Sequence, residues 1–479
     1  MLFNSFQYAI FLPVVFLLYW KLPHRFRQPL LLAASYYFYM CWSVRYVVLI
    51  LFTTVVSYAA ARLIETNKDC TRRKWILFGT LVACLGVLFV FKYLNFFYET
   101  LDAILRVFSI QLAPMTLKLL LPVGISFYTF QTLSYVIDVF RGDVEAEKNF
   151  WVYATFVSFF PQLVAGPIER TSNLLPQIKA EHTFDYDQAS YGMKLMAWGF
   201  FKKLVIADNL SVYVDTVFND VWNNAGFAFV LAAFFFTIQI YCDFSGYSDI
   251  ARGTAKLLGI ELMENFKSPY LSASIKEFWS RWHISLSTWF RDYVYIPLGG
   301  NRTATQMRAY CNLFITFLVS GLWHGANWTF VLWGGMHGAA QIVEKALKLD
   351  KTDHLSTGIR VLRTLLVFVF AGAAWVLFRA ESFGEIVHIY THLLSGITSP
   401  VSYLKEGFRA IGMNKISLVK AVLVYLPILF AYDTASLRGD PIKTVSALRW
   451  RWIIYVAFTS LIALLSYYSR NAAFIYFQF

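Results

Sequence analysis

Three histidines stand where an ionisable side chain is expensive to keep. His324 lies in Ser320-Gly321-Leu322-Trp323-His324-Gly325-Ala326-Asn327-Trp328, within a stretch from Ala309 to Val343 that holds no Asp, Glu, Lys or Arg. Burying an imidazole at membrane depth is costly, so such a histidine reads as a functional group facing the protein interior. In a dry, enclosed site neutral imidazole can take a proton from an attacking hydroxyl, which makes His324 a candidate general base. The plainer alternative is an imidazole that only bonds to a neighbouring helix. Gly321 and Gly325 leave the backbone around it thinly covered, as suits a residue that something large must reach. His337 follows thirteen residues later, and with Gly325 and Gly334-Gly335 between them the spacing fixes no common face. It reads equally as support or as packing. His283 sits in Phe278-Trp279-Ser280-Arg281-Trp282-His283-Ile284-Ser285-Leu286-Ser287-Thr288-Trp289. It suits orienting a donor carbonyl or stabilising an oxyanion; as an alternative it is one more ring in an interfacial aromatic belt.

The chain between Asp243 and Arg308 mixes charges with aromatics and is too polar to face lipid as an ordinary spanning helix. It must lie along the interface or dip in where protein surrounds it. Glu277 and Arg281 are spaced i and i+4 on a helix, which supports an ion pair. Phe278 with Trp282, and Trp279 with His283, are expected to stack along adjacent faces of the same helix. Asp243-Phe244-Ser245-Gly246-Tyr247-Ser248-Asp249 closes an apolar run and reads as a helix terminus with capping groups. Pro122-Val123-Gly124-Ile125-Ser126-Phe127 and Pro161-Gln162-Leu163-Val164-Ala165-Gly166-Pro167-Ile168-Glu169-Arg170 read as helix breaks lining a cavity. No P-loop, Rossmann glycine pattern, zinc-ligand spacing or GxSxG elbow appears, which disfavours nucleotide hydrolysis and soluble cofactor chemistry and implies no metal. The five cysteines are scattered and form no CxxC pair, so neither a disulfide nor a zinc framework is implied.

The elements that position these residues are apolar helices. With 58% hydrophobic residues, 15% charged residues and a mean hydropathy of +0.52, the chain belongs with polytopic membrane proteins. Charge-free runs recur at Met1–Trp20, Leu30–Val44, Tyr46–Ala61, Trp75–Phe91, Leu119–Ile137, Phe150–Ile168, Val221–Cys242, Thr364–Phe378 and Trp452–Ser469. Together with the histidine region they give roughly eleven spans on the length criterion. Met1-Leu2-Phe3-Asn4 lacks the basic start of a secretory signal, so the first run reads as a retained helix. Basic residues after the first and third spans place those loops in the cytoplasm and the N-terminus outside. The net charge of +13 is dispersed, as for loops facing anionic membrane lipid, and calls for no nucleic acid.

There is no internal repeat, low-complexity tract or long linker, so residues 1–479 read as one integral membrane domain. The segment Glu169 to Ser190 reads as a solvated loop with a short helix.

Taken together, these strings resemble the membrane-bound O-acyltransferase family, in its bacterial branch that is similar to the membrane subunit of alginate O-acetyltransferase. The resemblance runs from Leu121-Pro122-Val123-Gly124-Ile125-Ser126-Phe127-Tyr128 through Val164-Ala165-Gly166-Pro167, the Asp243–Asp249 string and Glu264-Asn265-Phe266. It continues through the Phe278–Ser285 string and Tyr295-Ile296-Pro297-Leu298-Gly299-Gly300-Asn301-Arg302 to Leu322-Trp323-His324-Gly325, a motif-rich core of about residues 110 to 345. It implies an all-α ring of membrane helices, with re-entrant or interfacial helices, around a central tunnel. It also implies His324 as the catalytic histidine. Where eukaryotic relatives commonly have Trp-Asn-Ile-Pro, this chain has Trp282-His283-Ile284-Ser285, so His283 takes an auxiliary catalytic role. The implied reaction is O-acetylation, with acetyl-CoA as cytoplasmic donor and Lys276, Arg281 and Arg291 as candidates for its phosphates on charge grounds. In this branch a periplasmic, SGNH-hydrolase-like partner commonly passes the group to an exopolysaccharide, which implies a place in the bacterial inner membrane. Two competing readings are D-alanyl transfer to teichoic acid from a carrier protein and a non-enzymatic polysaccharide transporter.

Overall fold

The computed structural model describes residues 1–113, 121–466 and 474–475, which contain helices and no strand. The helices are α1 (Phe6–Lys21), α2 (His24–Met40), α3 (Val47–Thr66), α4 (Cys70–Leu88), α5 (Leu94–Val107), α6 (Ile125–Arg141), α7 (Phe150–Ser158), α8 (Thr171–Lys179), α9 (Tyr186–Phe200), α10 (Asp208–Phe218) and α11 (Phe227–Leu257). Then follow α12 (Ile275–Arg281), α13 (Ile284–Phe290), α14 (Gln306–His324), α15 (Trp328–Ala346), α16 (Thr357–Arg379), α17 (Phe383–His392), α18 (Pro400–Ala410), α19 (Lys415–Lys420), α20 (Leu426–Ser436), α21 (Pro441–Ala447) and α22 (Arg451–Leu465). Among the described residues five helical stretches are long and apolar enough to cross a membrane: Val47–Thr66, Cys70–Val107, Phe227–Leu257, Thr357–Arg379 and Lys415–Ser436. The second and fifth are continuous because π-helical turns, Phe89–Tyr93 and Ala421–Tyr425, join their two halves.

The chain divides into two compact units, one of residues 1–193 and 251–263, the other of residues 194–250 and 264–479. In the first unit the expected span Phe150–Ile168 is helical only over α7. Proline at 161 has no N–H to donate and forces the preceding residue out of the helical region, and Phe159 is already extended at ψ 109°. The irregular stretch that follows packs against the Pro122 string: Gly124, at φ +76°, lies so close that a Cβ there would stand 2.6 Å from the Leu163 carbonyl oxygen. The apolar run around Leu119 lies partly outside the described residues, and its helix, α6, starts at Ile125. Glu169, expected in solvent, is fully buried, accepting from Asn173 Nδ2 and the Met263 N–H at 2.6 Å each.

In the second unit the Asp243–Asp249 string does not end a helix. It lies inside α11, because cations from elsewhere meet its carboxylates. A π-helical turn over Phe201–Ala207 turns two consecutive lysines inward. Lys203 Nζ lies 2.5 Å from Asp243 and 2.9 Å from Asp208, and Lys202 Nζ lies 2.6 Å from Asp249. Single π turns widen a helix locally and re-aim its side chains, often at functional sites.

The hairpin of α14 and α15 carries the central histidine. Glycines let the two backbones touch: a Cβ on Gly321 would overlap the Phe330 carbonyl oxygen, and one on Gly334 would overlap that of Phe317. Close approach through small residues is the usual way membrane helices associate, since lipid tails supply no hydrophobic drive between them.

Candidate active site

His324 is the last residue of α14 and is 5% exposed. Its ring stands against Trp323 at 4.9 Å, Trp333 at 5.0 Å and Phe378 at 5.3 Å between centroids, each contact edge-on. Two extended residues, Gly325 and Asn327, turn the chain, and Asn327 then caps α15 by accepting from the Thr329 N–H at 3.0 Å. That short turn brings Trp333, one helical turn before His337, between the two histidines. The Trp333 and His337 rings are 4.9 Å apart. A common environment that sequence spacing leaves open is thus made by the hairpin.

His337 is fully buried and accepts a hydrogen bond on Nδ1 from the Trp279 indole N–H at 3.2 Å. An indole N–H can only donate, so His337 is neutral with its proton on Nε2. Trp279 meets His337 edge-on, at 5.1 Å, and does not stack with His283 as the sequence spacing suggests. The reason is local: α12 stops at Arg281, and His283 adopts the left-handed region at φ +43°, so it leaves the helical face that Trp279 shares. The other two expectations for this segment hold. Arg281 pairs with Glu277 at 2.6 Å, and Phe278 stacks on Trp282 at 5.5 Å.

His283 is fully buried, with its ring edge-on to Phe244 at 4.6 Å and 6.3 Å from Trp323. Trp323 thus lies beside both His283 and His324. The three imidazoles share one aromatic cluster within the second unit.

A cavity of about 340 Å³ approaches this cluster. Its lining includes the charged groups Lys276, Arg291, Lys345 and Asp350, together with Trp279 and Ser320. The Lys276 and Arg291 side chains are well exposed, while Trp279 and Ser320 are buried. Ser320 precedes His324 by one turn of α14, a rise of about 6 Å. The carboxylate of Glu344 fixes the start of α12, accepting from the N–H groups of Ile275 at 2.6 Å and Lys276 at 3.1 Å, and so holds Lys276 at this cavity. Lys276 also pairs with Asp350 at 2.9 Å and holds that carboxyl below its ordinary range. Of the three cations expected to bind phosphate, the structure brings Lys276 and Arg291 together here. Arg281 does not line the cavity and is engaged by Glu277.

Asn265 entered the sequence reading only as part of the family resemblance, Trp279 only as an expected stack with His283, and Lys202 and Lys203 not at all. Two consecutive lysines inside the apolar text from Leu195 to Ile206 are the signal from which a buried ionic cluster could have been read.

The chain matches known proteins over most of its length. It is 43% identical over 388 residues to a probable alginate O-acetylase AlgI of Azotobacter vinelandii, covering 81% of this chain and 76% of that protein. A probable alginate O-acetylase AlgI of Pseudomonas aeruginosa is 40% identical over 437 residues, 91% of this chain and 82% of its own. A peptidoglycan O-acetyltransferase of Helicobacter pylori is 36% identical over 416 residues, covering 80% and 77%. The family profile of the membrane-bound O-acyltransferases (MBOAT) matches residues 146–349, which contain all three histidines and most of the cavity lining. The protein is an acyltransferase, a multi-pass helical member of the membrane-bound O-acyltransferase family.

Proposed function

We propose that this protein moves an acetyl group from cytoplasmic acetyl-CoA across the bacterial inner membrane for O-acetylation of an extracytoplasmic polysaccharide. The observation that carries the reading is the cavity that begins at Lys276 and Arg291 and reaches Ser320, one turn from His324. Exposed cations suit the phosphates of CoA, and the buried Trp279 and Ser320 suit a thioester arm.

In this reading His324 removes the proton of the acceptor hydroxyl as its oxygen attacks the thioester carbonyl. The carbon–sulfur bond breaks, and the departing CoA thiolate takes that proton back from the imidazolium. The aromatic walls exclude water that would otherwise hydrolyse the thioester. His283 assists in the same cluster. The family resemblance implies a ring of membrane helices with a central tunnel, and the length criterion applied to the sequence gives roughly eleven spans. On the outer face an SGNH-hydrolase-like partner passes the group to the polymer. The names of the three relatives, each an O-acetylase or O-acetyltransferase, favour acetyl over D-alanyl transfer.

The test is donor competition in inside-out vesicles holding the protein. Radiolabelled acetyl-CoA is expected to label the acceptor fraction. Labelling by a D-alanyl carrier protein but not by acetyl-CoA would overturn the assignment.

A further inference from the structure

We propose that Asn265 sets the tautomer of His283, so that His283 meets the reacting groups with a lone pair on Nε2 and acts as a hydrogen-bond acceptor. Asn265 is 1% exposed, and three donors converge on its Oδ1: the Ser285 N–H at 3.1 Å, the Ser285 hydroxyl at 2.9 Å and His283 Nδ1 at 3.2 Å. A main-chain N–H can only donate, so the amide atom facing Ser285 must be the oxygen and not the NH2. An oxygen cannot donate back, so Nδ1 of His283 carries the proton and neutral His283 has its lone pair on Nε2. The assignment is the reverse of His337, whose Nδ1 accepts from Trp279.

The backbone reinforces this grip. The Asn265 carbonyl accepts from the Ile284 N–H at 3.0 Å, so Asn265 clamps both residues that follow the left-handed His283. Its Nδ2 reaches Ser248 Oγ at 3.4 Å, within the Asp243–Asp249 string. Asn265 is therefore a positioning residue that acts through His283. A neutral His283 in this tautomer has no proton on Nε2 to give a carbonyl oxygen, so its assistance is to accept a bond from the acceptor hydroxyl or from a protonated partner. The inference rests on the placement of His283 in the acyl-transfer site given under Proposed function.

The experiment combines a spectrum with kinetics. Protein labelled with nitrogen-15 at its eight histidines is studied in lipid bilayers by solid-state NMR, and the His283 signals are assigned by difference from His283→Gln. The expected result is a protonated Nδ1 and an unprotonated Nε2. In acetyl transfer from acetyl-CoA, Asn265→Ala is expected to lower kcat about 100-fold, the usual loss when a proton-transfer partner is misaligned. Asn265→Asp restores an acceptor, recovers most of that rate and moves the acid limb of the pH profile upward, because a carboxylate favours imidazolium. A His283 spectrum with the proton on Nε2, or wild-type kcat and pH profile in Asn265→Ala, overturns the proposal. If Asn265→Ala fails to fold, the wild-type spectrum still decides. If acetyl-CoA is not a donor for the wild type, the donor reading fails while the spectrum judges the tautomer independently.

Discussion

Ser320 and His324 lie one helical turn apart on α14, the first lining the cavity and the second closing the helix among three aromatic rings. In the proposed function this spacing ties the cavity assigned to the donor to the histidine assigned as the base.

The donor cations follow first. Lys276→Gln and Arg291→Gln are each expected to raise KM for acetyl-CoA about two- to tenfold with kcat nearly unchanged, since exposed charge-assisted contacts add modest binding energy that is uniform along the reaction. Arg281→Gln is expected to leave KM unchanged, because Arg281 does not line the cavity. Initial rates against acetyl-CoA concentration distinguish the two groups.

The hairpin offers a steric test. Gly334→Ala forces a Cβ into the Phe317 carbonyl and is expected to cost about 1–3 kcal/mol and to lower activity by displacing Trp333 from His324. Gly79→Ala is the control, since apart from its own stretch of helix backbone nothing lies within 4 Å of the Cβ it would add. Thermal midpoints in detergent, read by aggregation, are expected to fall only for Gly334→Ala.

The buried ionic cluster predicts a strongly asymmetric response. Lys203→Met leaves Asp208 and Asp243 without their shared cation and is expected to destabilise by about 3–5 kcal/mol. Adding Asp208→Asn and Asp243→Asn to the same chain is expected to recover much of that loss. Midpoints of the single and triple variants, compared under one detergent condition, check the claim.

Glu169 predicts a pH dependence outside the membrane helices. Burial pushes its carboxyl up from the ordinary 4.5 to about 7. A folded value above the unfolded one means the folded state holds the proton more tightly, so the stability it contributes is complete below about pH 4.5 and is lost as pH rises toward 7. Glu169→Gln is expected to flatten this slope, measured as the difference in thermal midpoint between wild type and variant across that window.

What could be read from the sequence was whatever depends on near neighbours. The Glu277–Arg281 pair and the Phe278–Trp282 stack need only one turn of helix, and both form. The partner of Trp279 could not be read, because it is His337 on another helix and because His283 leaves the helical face. The Asp243–Asp249 string looks like a helix end, since charges after an apolar run usually mark one. Only the inward lysines of a π-helical turn allow α11 to continue through it, and that turn has no local signature. The burial of His324 among aromatic rings was legible because its charge-free, tryptophan-rich surroundings are themselves local text.

The most direct test of the account is acetyl transfer by purified, folded His324→Ala supplied with radiolabelled acetyl-CoA. Loss of transfer by at least about 100-fold at unchanged thermal midpoint is the expected result. Full transfer of label by that variant would contradict it.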